Sequence, residues 1–311
     1  MAQFLAVFAH LGSDRIEAGI RNPCASGSQS RLHSDPDGGL PVETTPLPSC
    51  NSGAGAGMID LQSAVLLVGA GFLGGAINAI AGGATFFTFP AMMAAGLGAV
   101  SANASNTVAL APSSFVAFLA MRRYLAGSRH LLISFLILGL LGGALGAWLV
   151  LWLGDERFRA CVPWLLLIAT VLFAAGPWVV RMMKAADLHH ERLGVRIFGH
   201  VFQALIGIYG GFFGAGMGMV TLAGLTLLGL TDIRSMNALK NLFTSLCNAI
   251  AVIVFIIAGA VSWPHALVMM AGGVVGGFAG GKLGNVLPAA RARLIVTAVG
   301  TVLTVAYFVK G

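Results

Sequence analysis

Residues 59–98 read IDLQSAVLLVGAGFLGGAINAIAGGATFFTFPAMMAAGLG, an apolar stretch with glycines near its centre and no charged residue after Asp60. A membrane-spanning helix needs about 20 apolar residues, which segment 59–80 supplies, whereas segment 84–98 is shorter. The whole chain is 57% hydrophobic and 9% charged, against about 25% charged residues in soluble domains. This composition excludes an ordinary soluble enzyme, and the continuous apolar runs exclude an outer-membrane barrel, whose strands alternate apolar and polar residues. We therefore predict an all-α polytopic membrane protein.

The rest of the chain repeats this arrangement of long and short apolar segments. Long segments are predicted at 59–80, 103–121, 130–153, 160–180, 197–213, 237–258, 264–284 and 292–309. Short segments at 84–98 and 218–230 each follow the first long member of a set, and are too short for an untilted span.

Glycines and polar residues recur at constant offsets between the two sets, which indicates an internal duplication. The offset is 136 for Gly71, Gly74, Gly75 and Thr85 against Gly207, Gly210, Gly211 and Thr221. It is 134 for Asn103-Ala104 against Asn237-Ala238, and 130 for Gly142, Gly143, Gly146 and Gly154 against Gly272, Gly273, Gly276 and Gly284. We predict duplicated halves at 58–180 and 197–311, each with four long helices plus one short or broken helix, joined by a cytoplasmic linker at 181–196.

Loop charge predicts how the halves are oriented. Lys and Arg concentrate at 122–130, 181–196, 231–240 and 282–293, which the positive-inside rule places in the cytoplasm. This assignment requires the short segments to cross the membrane, which gives five crossings per half and inverted halves. If the short segments fold back as re-entrant loops, there are eight crossings and the halves are parallel. The inverted arrangement is our prediction.

Residues 1–57 differ in composition from the apolar remainder. They carry a net charge of −2, against +9 for residues 58–311, and are rich in Gly, Ser, Pro and Asn. Such a segment cannot bury enough apolar surface to order itself. We expect a disordered tail, interpret Met58 as the natural start, and expect deletion of the tail to leave transport unchanged.

Two equivalent interruptions, NAIAGGAT at 78–85 and GAGMGMVT at 214–221, break the apolar pattern of the two halves. Interrupted helices in inverted repeats are typical of secondary transporters. The helix that restarts after each interruption presents unpaired N–H groups, which attract anions. We predict a solute site formed by Asn78, Gly82, Gly83, Thr85, Thr88, Asn103, Asn106, Gly214, Gly216, Gly218, Thr221, Asn237, Lys240 and Asn241.

Structural roles for these residues remain alternatives. The glycines can instead let helices pack closely, and the asparagines can cap helices or bond between them. Lys240 either snorkels to the membrane surface or pairs with an anion.

Absent motifs narrow the function further. No Asp or Glu lies inside an apolar segment, whereas a cation carrier or carboxylate proton relay normally needs one; we therefore expect an anionic solute. The chain lacks H-E-x-x-H, G-x-S-x-G and the ATP-binding P-loop, so we predict no enzyme activity and no cofactor. We also predict no metal site and no nucleic-acid partner. The sequence leaves open proton or sodium coupling and a homodimer.

Two stretches carry a family resemblance. Residues 71–107, GFLGGAINAIAGGATFFTFPAMMAAGLGAVSANASNT, and residues 237–284, NALKNLFTSLCNAIAVIVFIIAGAVSWPHALVMMAGGVVGGFAGGKLG, resemble the signatures of the TauE/SafE family, also called the toluene sulfonate uptake permease family. The resemblance rests on Gly82, Gly83, Pro90, Gly96 and Asn106-Thr107 and covers about 58–310. The chain has A-I-A-G-G-A where the family often has G-x-G-G-G.

This resemblance implies secondary transport of a small sulfur-containing anion such as sulfite, sulfoacetate or another organosulfonate. It implies a location in the inner membrane, with the lipid bilayer and the solute as partners. A channel, a non-transporting membrane scaffold and a carrier of a different solute remain the alternatives.

Overall fold

The computed structural model describes residues 59–80, 83–125, 129–185, 193–283 and 289–310. The compact unit begins at Ile59. The predicted tail, 1–57, and most of the predicted linker lie outside the described residues.

The described residues form α-helices and one short 3-10 turn, and no strand occurs within these ranges. The helices are α1 (Leu61–Ile80), α2 (Thr85–Ala94), α3 (Ala99–Met121), α4 (Arg129–Ala185), α5 (Leu193–Phe212), α6 (Met217–Leu227), α7 (Ile233–Ile257), α8 (Trp263–Leu283) and α9 (Ala289–Lys310). The 3-10 turn, Arg122–Leu125, extends α3. The all-helical prediction is confirmed, and each predicted apolar segment overlaps a helix.

By length and composition, five of the helices in the described ranges can cross a membrane. They are α1, α3 with its 3-10 extension, α4, α5 and α7. The short helices α2 and α6 have 10 and 11 residues. At about 1.5 Å per residue, each covers roughly half of a hydrocarbon core about 30 Å thick.

Helix α4 joins two segments that the sequence predicted separately. Its 57 residues would extend about 85 Å if straight, far more than a bilayer needs. Gly154 interrupts it with φ +71° and ψ 175°, a conformation that L side chains rarely adopt. The kink divides α4 into arms at 129–153 and 155–185, each with the roughly 20 residues that a crossing requires.

Glycines bring two pairs of helices into backbone contact. On α1 and α8, a side chain at Gly75 would clash with the carbonyl of Gly273, and one at Gly276 with the carbonyl of Phe72. On α4 and α5, a side chain at Gly211 would clash with the carbonyl of Gly143, and one at Gly146 with the carbonyl of Ile208. Only glycine permits such close approach, as in other membrane helix pairs.

A buried apolar cluster joins α4, α6 and α7. It includes Phe135 and Phe243, whose rings meet edge to face with centroids 5.3 Å apart. Met217, at the start of α6, packs in the same cluster. This packing fixes where α6 begins, and therefore where the second interruption lies.

Candidate solute-binding cavity

A cavity of about 140 Å³ lies where the two interruptions meet α3 and α7. The first interruption and α2 supply Asn78, Gly83, Ala84 and Thr85, and α3 supplies Asn106, Thr107, Leu110, Ser114 and Ala117. The second interruption and its flanks supply Gly210, Phe213, Gly214, Gly216, Met217, Gly218 and Met219. The remaining lining residues are Phe173 from α4 and Lys240, Asn241, Thr244 and Asn248 from α7. Both predicted halves contribute to it.

The second interruption lies between the end of α5 and the start of α6. Gly214 and Gly216 have φ +72° and +74°, which favours glycine at both positions. Two hydrogen bonds hold this loop: Tyr209 Oη donates to the carbonyl of Ala215 at 2.6 Å, and Asn103 Nδ2 donates to the carbonyl of Phe212 at 3.1 Å. The loop is thus anchored by its own helix and by α3.

The start of α6 contributes Met217, Gly218 and Met219 to the lining of the cavity. The amides of Met217 and Met219 bond to the carbonyls of Gly214 and Gly216. Gly218 also lines the cavity, and no hydrogen bond joins its amide to other described residues. An N–H group of this kind, together with the helix dipole, favours an anion.

Lys240 is the one charged residue among those that line this cavity. Its stem runs beside the start of α6, because a Cβ added at Gly218 would lie 3.4 Å from Lys240 Cδ. Its Nζ donates to Asn237 Oδ1 at 3.2 Å. The positive charge of Lys240 and the positive end of the α6 dipole therefore fall on the same side of the cavity.

The lining residues of α3 and α7 match at the offset of 134 that relates the predicted halves. Asn106 corresponds to Lys240, Thr107 to Asn241, Leu110 to Thr244 and Ser114 to Asn248. The last pair is in direct contact, with Asn248 Nδ2 donating to Ser114 Oγ at 3.1 Å. Equivalent faces of α3 and α7 therefore meet at the cavity wall.

Nine of the predicted site residues line the cavity: Asn78, Gly83, Thr85, Asn106, Gly214, Gly216, Gly218, Lys240 and Asn241. Thr88, Asn103, Thr221 and Asn237 do not line it, and Gly82 lies outside the described residues.

The four residues outside the lining have other partners. Thr88 and Thr221 direct their hydroxyls to carbonyls of their own helices, those of Ala84 and Met217, both at 3.0 Å. We predicted that these hydroxyls donate to a solute; in the structure they donate to the backbone and do not reach the cavity. Asn103 donates a hydrogen bond to the carbonyl of Phe212, just before the second interruption. Asn237 accepts one from Lys240, which lines the cavity.

Polar lining residues that sequence reasoning missed are Thr107, Ser114, Thr244 and Asn248. Thr244 and Asn248 follow Lys240 at intervals of four residues, and on α3 Thr107 follows Asn103 by four and Ser114 follows Thr107 by seven. Both spacings place side chains on one helix face. Extending the 134-residue offset along that face would have found them.

Two amide oxygens in this region are buried without a partner among the described residues, Oδ1 of Asn103 and Oδ1 of Asn106. A buried polar atom left unpaired costs about 1–3 kcal/mol, so such atoms usually have a specific explanation. Asn106 itself lines the cavity and is 2% exposed. Its placement fits a cavity that is built to hold a polar species.

Part of the cavity lining is apolar. The apolar lining residues include Leu110, Phe173, Phe213, Met217 and Met219. Among the described residues, no carboxylate lines the cavity, and no cluster of three or more His, Cys, Asp or Glu could hold a metal ion. The site thus combines one cation, several hydroxyl and amide groups and an apolar surface.

Comparison with known proteins finds similarity to membrane transporters. The family model described as "Sulfite exporter TauE/SafE" matches residues 67–307. A "Probable membrane transporter protein" of Haemophilus influenzae is 32% identical over 72% of this chain and 86% of its own length. The "Probable membrane transporter protein YfcA" of Escherichia coli is 28% identical over 72% of this chain and 80% of its own length. A probable membrane transporter of Sinorhizobium sp. is 27% identical, covering 78% and 89% of the two chains. No solved structure matches.

Proposed function

This chain belongs to the sulfite exporter TauE/SafE family of membrane transporters, and on that premise we propose that it is a secondary transporter of a small sulfur-containing anion. Sulfite, sulfoacetate and other organosulfonates are the candidate solutes. We place it in the inner membrane, with alternating access around the two interrupted helices.

The observation that carries this proposal is the placement of Lys240 beside the start of α6 in the cavity. An ammonium group, a helix N-terminus and several hydroxyl and amide groups are the ligands expected for an oxyanion. The apolar wall around Phe173 and Phe213 suits the carbon skeleton of a short organosulfonate. Asn78, Gly83, Thr85, Asn106, Gly214, Gly216 and Asn241 are proposed to complete the site, and Gly82 remains a candidate from sequence alone.

We further propose that 58–180 and 197–311 are inverted halves related by a pseudo-two-fold axis. Supporting this, the contact of Gly75 with the carbonyl of Gly273 corresponds to that of Gly211 with the carbonyl of Gly143, at offsets of 136 and 130. The first long helix of each proposed half therefore packs on the third long segment of the other. The bond between the equivalent residues Ser114 and Asn248 fits a contact close to such an axis.

Counterflow in proteoliposomes tests the proposal. We expect saturable uptake of labelled sulfite, or of a simple sulfonate such as sulfoacetate, driven by trapped unlabelled solute, as a carrier requires and a channel does not. Flux under imposed proton or sodium gradients would identify a coupling ion. Lys240→Gln should raise the KM about 10- to 100-fold, since a hydrogen bond to a charged group contributes about 1.5–3 kcal/mol.

A matched control is Arg234→Gln, which removes a positive charge from an exposed residue outside the cavity. It should leave the KM unchanged. Absence of saturable flux of either anion in well-reconstituted wild-type protein would refute the sulfur-anion proposal, whereas linear, non-saturating flux would favour a channel.

A further inference from the structure

We infer that this protein is an anion exchanger selective for monoanions, such as hydrogensulfite or a simple monosulfonate, over dianions such as sulfoacetate, and that Lys240 provides the compensating charge. This inference rests on the proposed function and specifies the substrate class and mode of operation of the same site. It follows from the balance of charges in and around the cavity.

Among the described residues that line the cavity there is one cation, Lys240, and no carboxylate. The acidic residues of the described ranges are Asp60, Asp155, Glu156 and Asp232, and all four are exposed. Asp155 Oδ1 accepts a hydrogen bond from the amide of Val100 at 2.9 Å, and Asp232, eight positions before Lys240, accepts from the amide and hydroxyl of Ser235. None of the four lines the cavity, so no described acidic side chain neutralises Lys240 there.

The immediate partner of Lys240 is uncharged. Asn237 Oδ1 accepts a hydrogen bond from Lys240 Nζ at 3.2 Å, and Asn237 Nδ2 donates to the carbonyl of Ile233 at 2.9 Å, which orients the amide. A side-chain amide stabilises an ammonium group but leaves its net charge in place. While Lys240 is protonated, the empty cavity carries a charge of about +1, and a cavity holding a monoanion is close to neutral.

This difference in charge decides which step of a transport cycle is fast. Moving a charged side chain through the low-dielectric centre of a bilayer is costly, so the empty protein should change its access slowly. The protein loaded with a monoanion has no net charge in its cavity and should change access readily. In exchange, the protein changes access only while it is loaded, once in each direction. In net transport, the empty protein must also change access in order to return.

The test compares exchange with net efflux of the same labelled anion from proteoliposomes. In the wild type, exchange should exceed net efflux by about tenfold or more, given the cost of a buried lysine charge. Clamping the membrane potential with potassium and valinomycin should change net efflux and leave exchange unaltered. In Lys240→Gln the loaded cavity is charged and the empty cavity is neutral, so the loaded step becomes the slow one. Exchange and net efflux both require that step, and the ratio of their rates should therefore fall towards one.

Lys240→Arg keeps the charge, and Arg234→Gln removes a charge elsewhere; both should keep a high ratio. If Lys240→Gln does not reconstitute, the voltage dependence in the wild type decides. Wild-type net efflux as fast as exchange, or exchange that depends on voltage, would overturn the inference while leaving the proposed carrier intact. Absence of any saturable flux in the wild type would instead refute the proposed function.

Discussion

Lys240 has the most specific role among the residues of the site. Its position four residues inside an apolar segment left two readings open, a snorkelling lysine or an anion partner. In the structure Lys240 lines the cavity and its stem lies beside Gly218, which also lines it, whereas its Nζ donates to Asn237, which does not. At the offset of 134 between the predicted halves, its counterpart is Asn106, so the two faces differ by one positive charge when Lys240 is protonated. On the proposed function, this asymmetry suits the cavity to an anion.

Asp232 has a different, local role as the cap of α7. Its carboxylate accepts hydrogen bonds from the Ser235 hydroxyl at 2.7 Å and from the Ser235 amide at 2.9 Å. These bonds, with a smaller contribution from Arg234, lower the pKa of Asp232 below its usual value. A carboxyl group with a lowered folded-state pKa stabilises the fold above its unfolded pKa, and this contribution is lost as pH falls through the folded value.

We therefore predict that Asp232→Ala lowers the Tm in detergent at pH 7, because the first turn of α7 loses its cap. The difference in Tm between wild type and variant should shrink as pH falls below about 4, where the wild-type carboxyl protonates. Thermal unfolding at several pH values measures this. A difference that stays constant from pH 7 to the acid limit would show that the carboxylate charge is not involved.

At the scale of elements, glycine contacts between helices position the interruptions. Helix α1 leads into the first interruption and packs on α8, and α5 leads into the second and packs on α4. Both pairs have backbone in contact with backbone.

We predict that Gly276→Ala destabilises the protein by about 1–3 kcal/mol, the usual cost of overpacking, because the added methyl group would clash with the carbonyl of Phe72. The matched control is Gly194→Ala in α5, where no atom lies within 4 Å of the added carbon. Alanine is the better helix former, so this control should be neutral or slightly stabilising. Equal losses of Tm in the two variants would contradict close packing of α1 on α8.

Segment length and hydropathy were sufficient to predict the helices, because a bilayer sets the length of a spanning segment. They also located both interruptions, since the glycines fall at equivalent places. They did not determine which side chains reach the cavity. Thr88 and Thr221 bond back to their own helices, and the rotation of a short helix about its axis depends on the backbone angles of the loop before it.

At the scale of the whole molecule, the cavity joins parts of the chain that are far apart in sequence. Asn78 and Lys240 line the same space although 162 positions separate them. Each interruption adds residues to one wall, and α3 and α7 close the space between them. A single binding event would therefore engage both halves, as access alternating between the two sides of a membrane requires.

The central claim is that this cavity binds a small anion through Lys240, and anion-dependent thermal stability tests it most directly. A ligand that binds only the folded state raises the Tm with its concentration. We predict that sulfite or a simple monosulfonate raises the Tm of purified wild-type protein and of Arg234→Gln in a saturable manner, and leaves Lys240→Gln unchanged at the same concentrations. An equal rise in Lys240→Gln, or no rise in the wild type with either anion, would contradict the account.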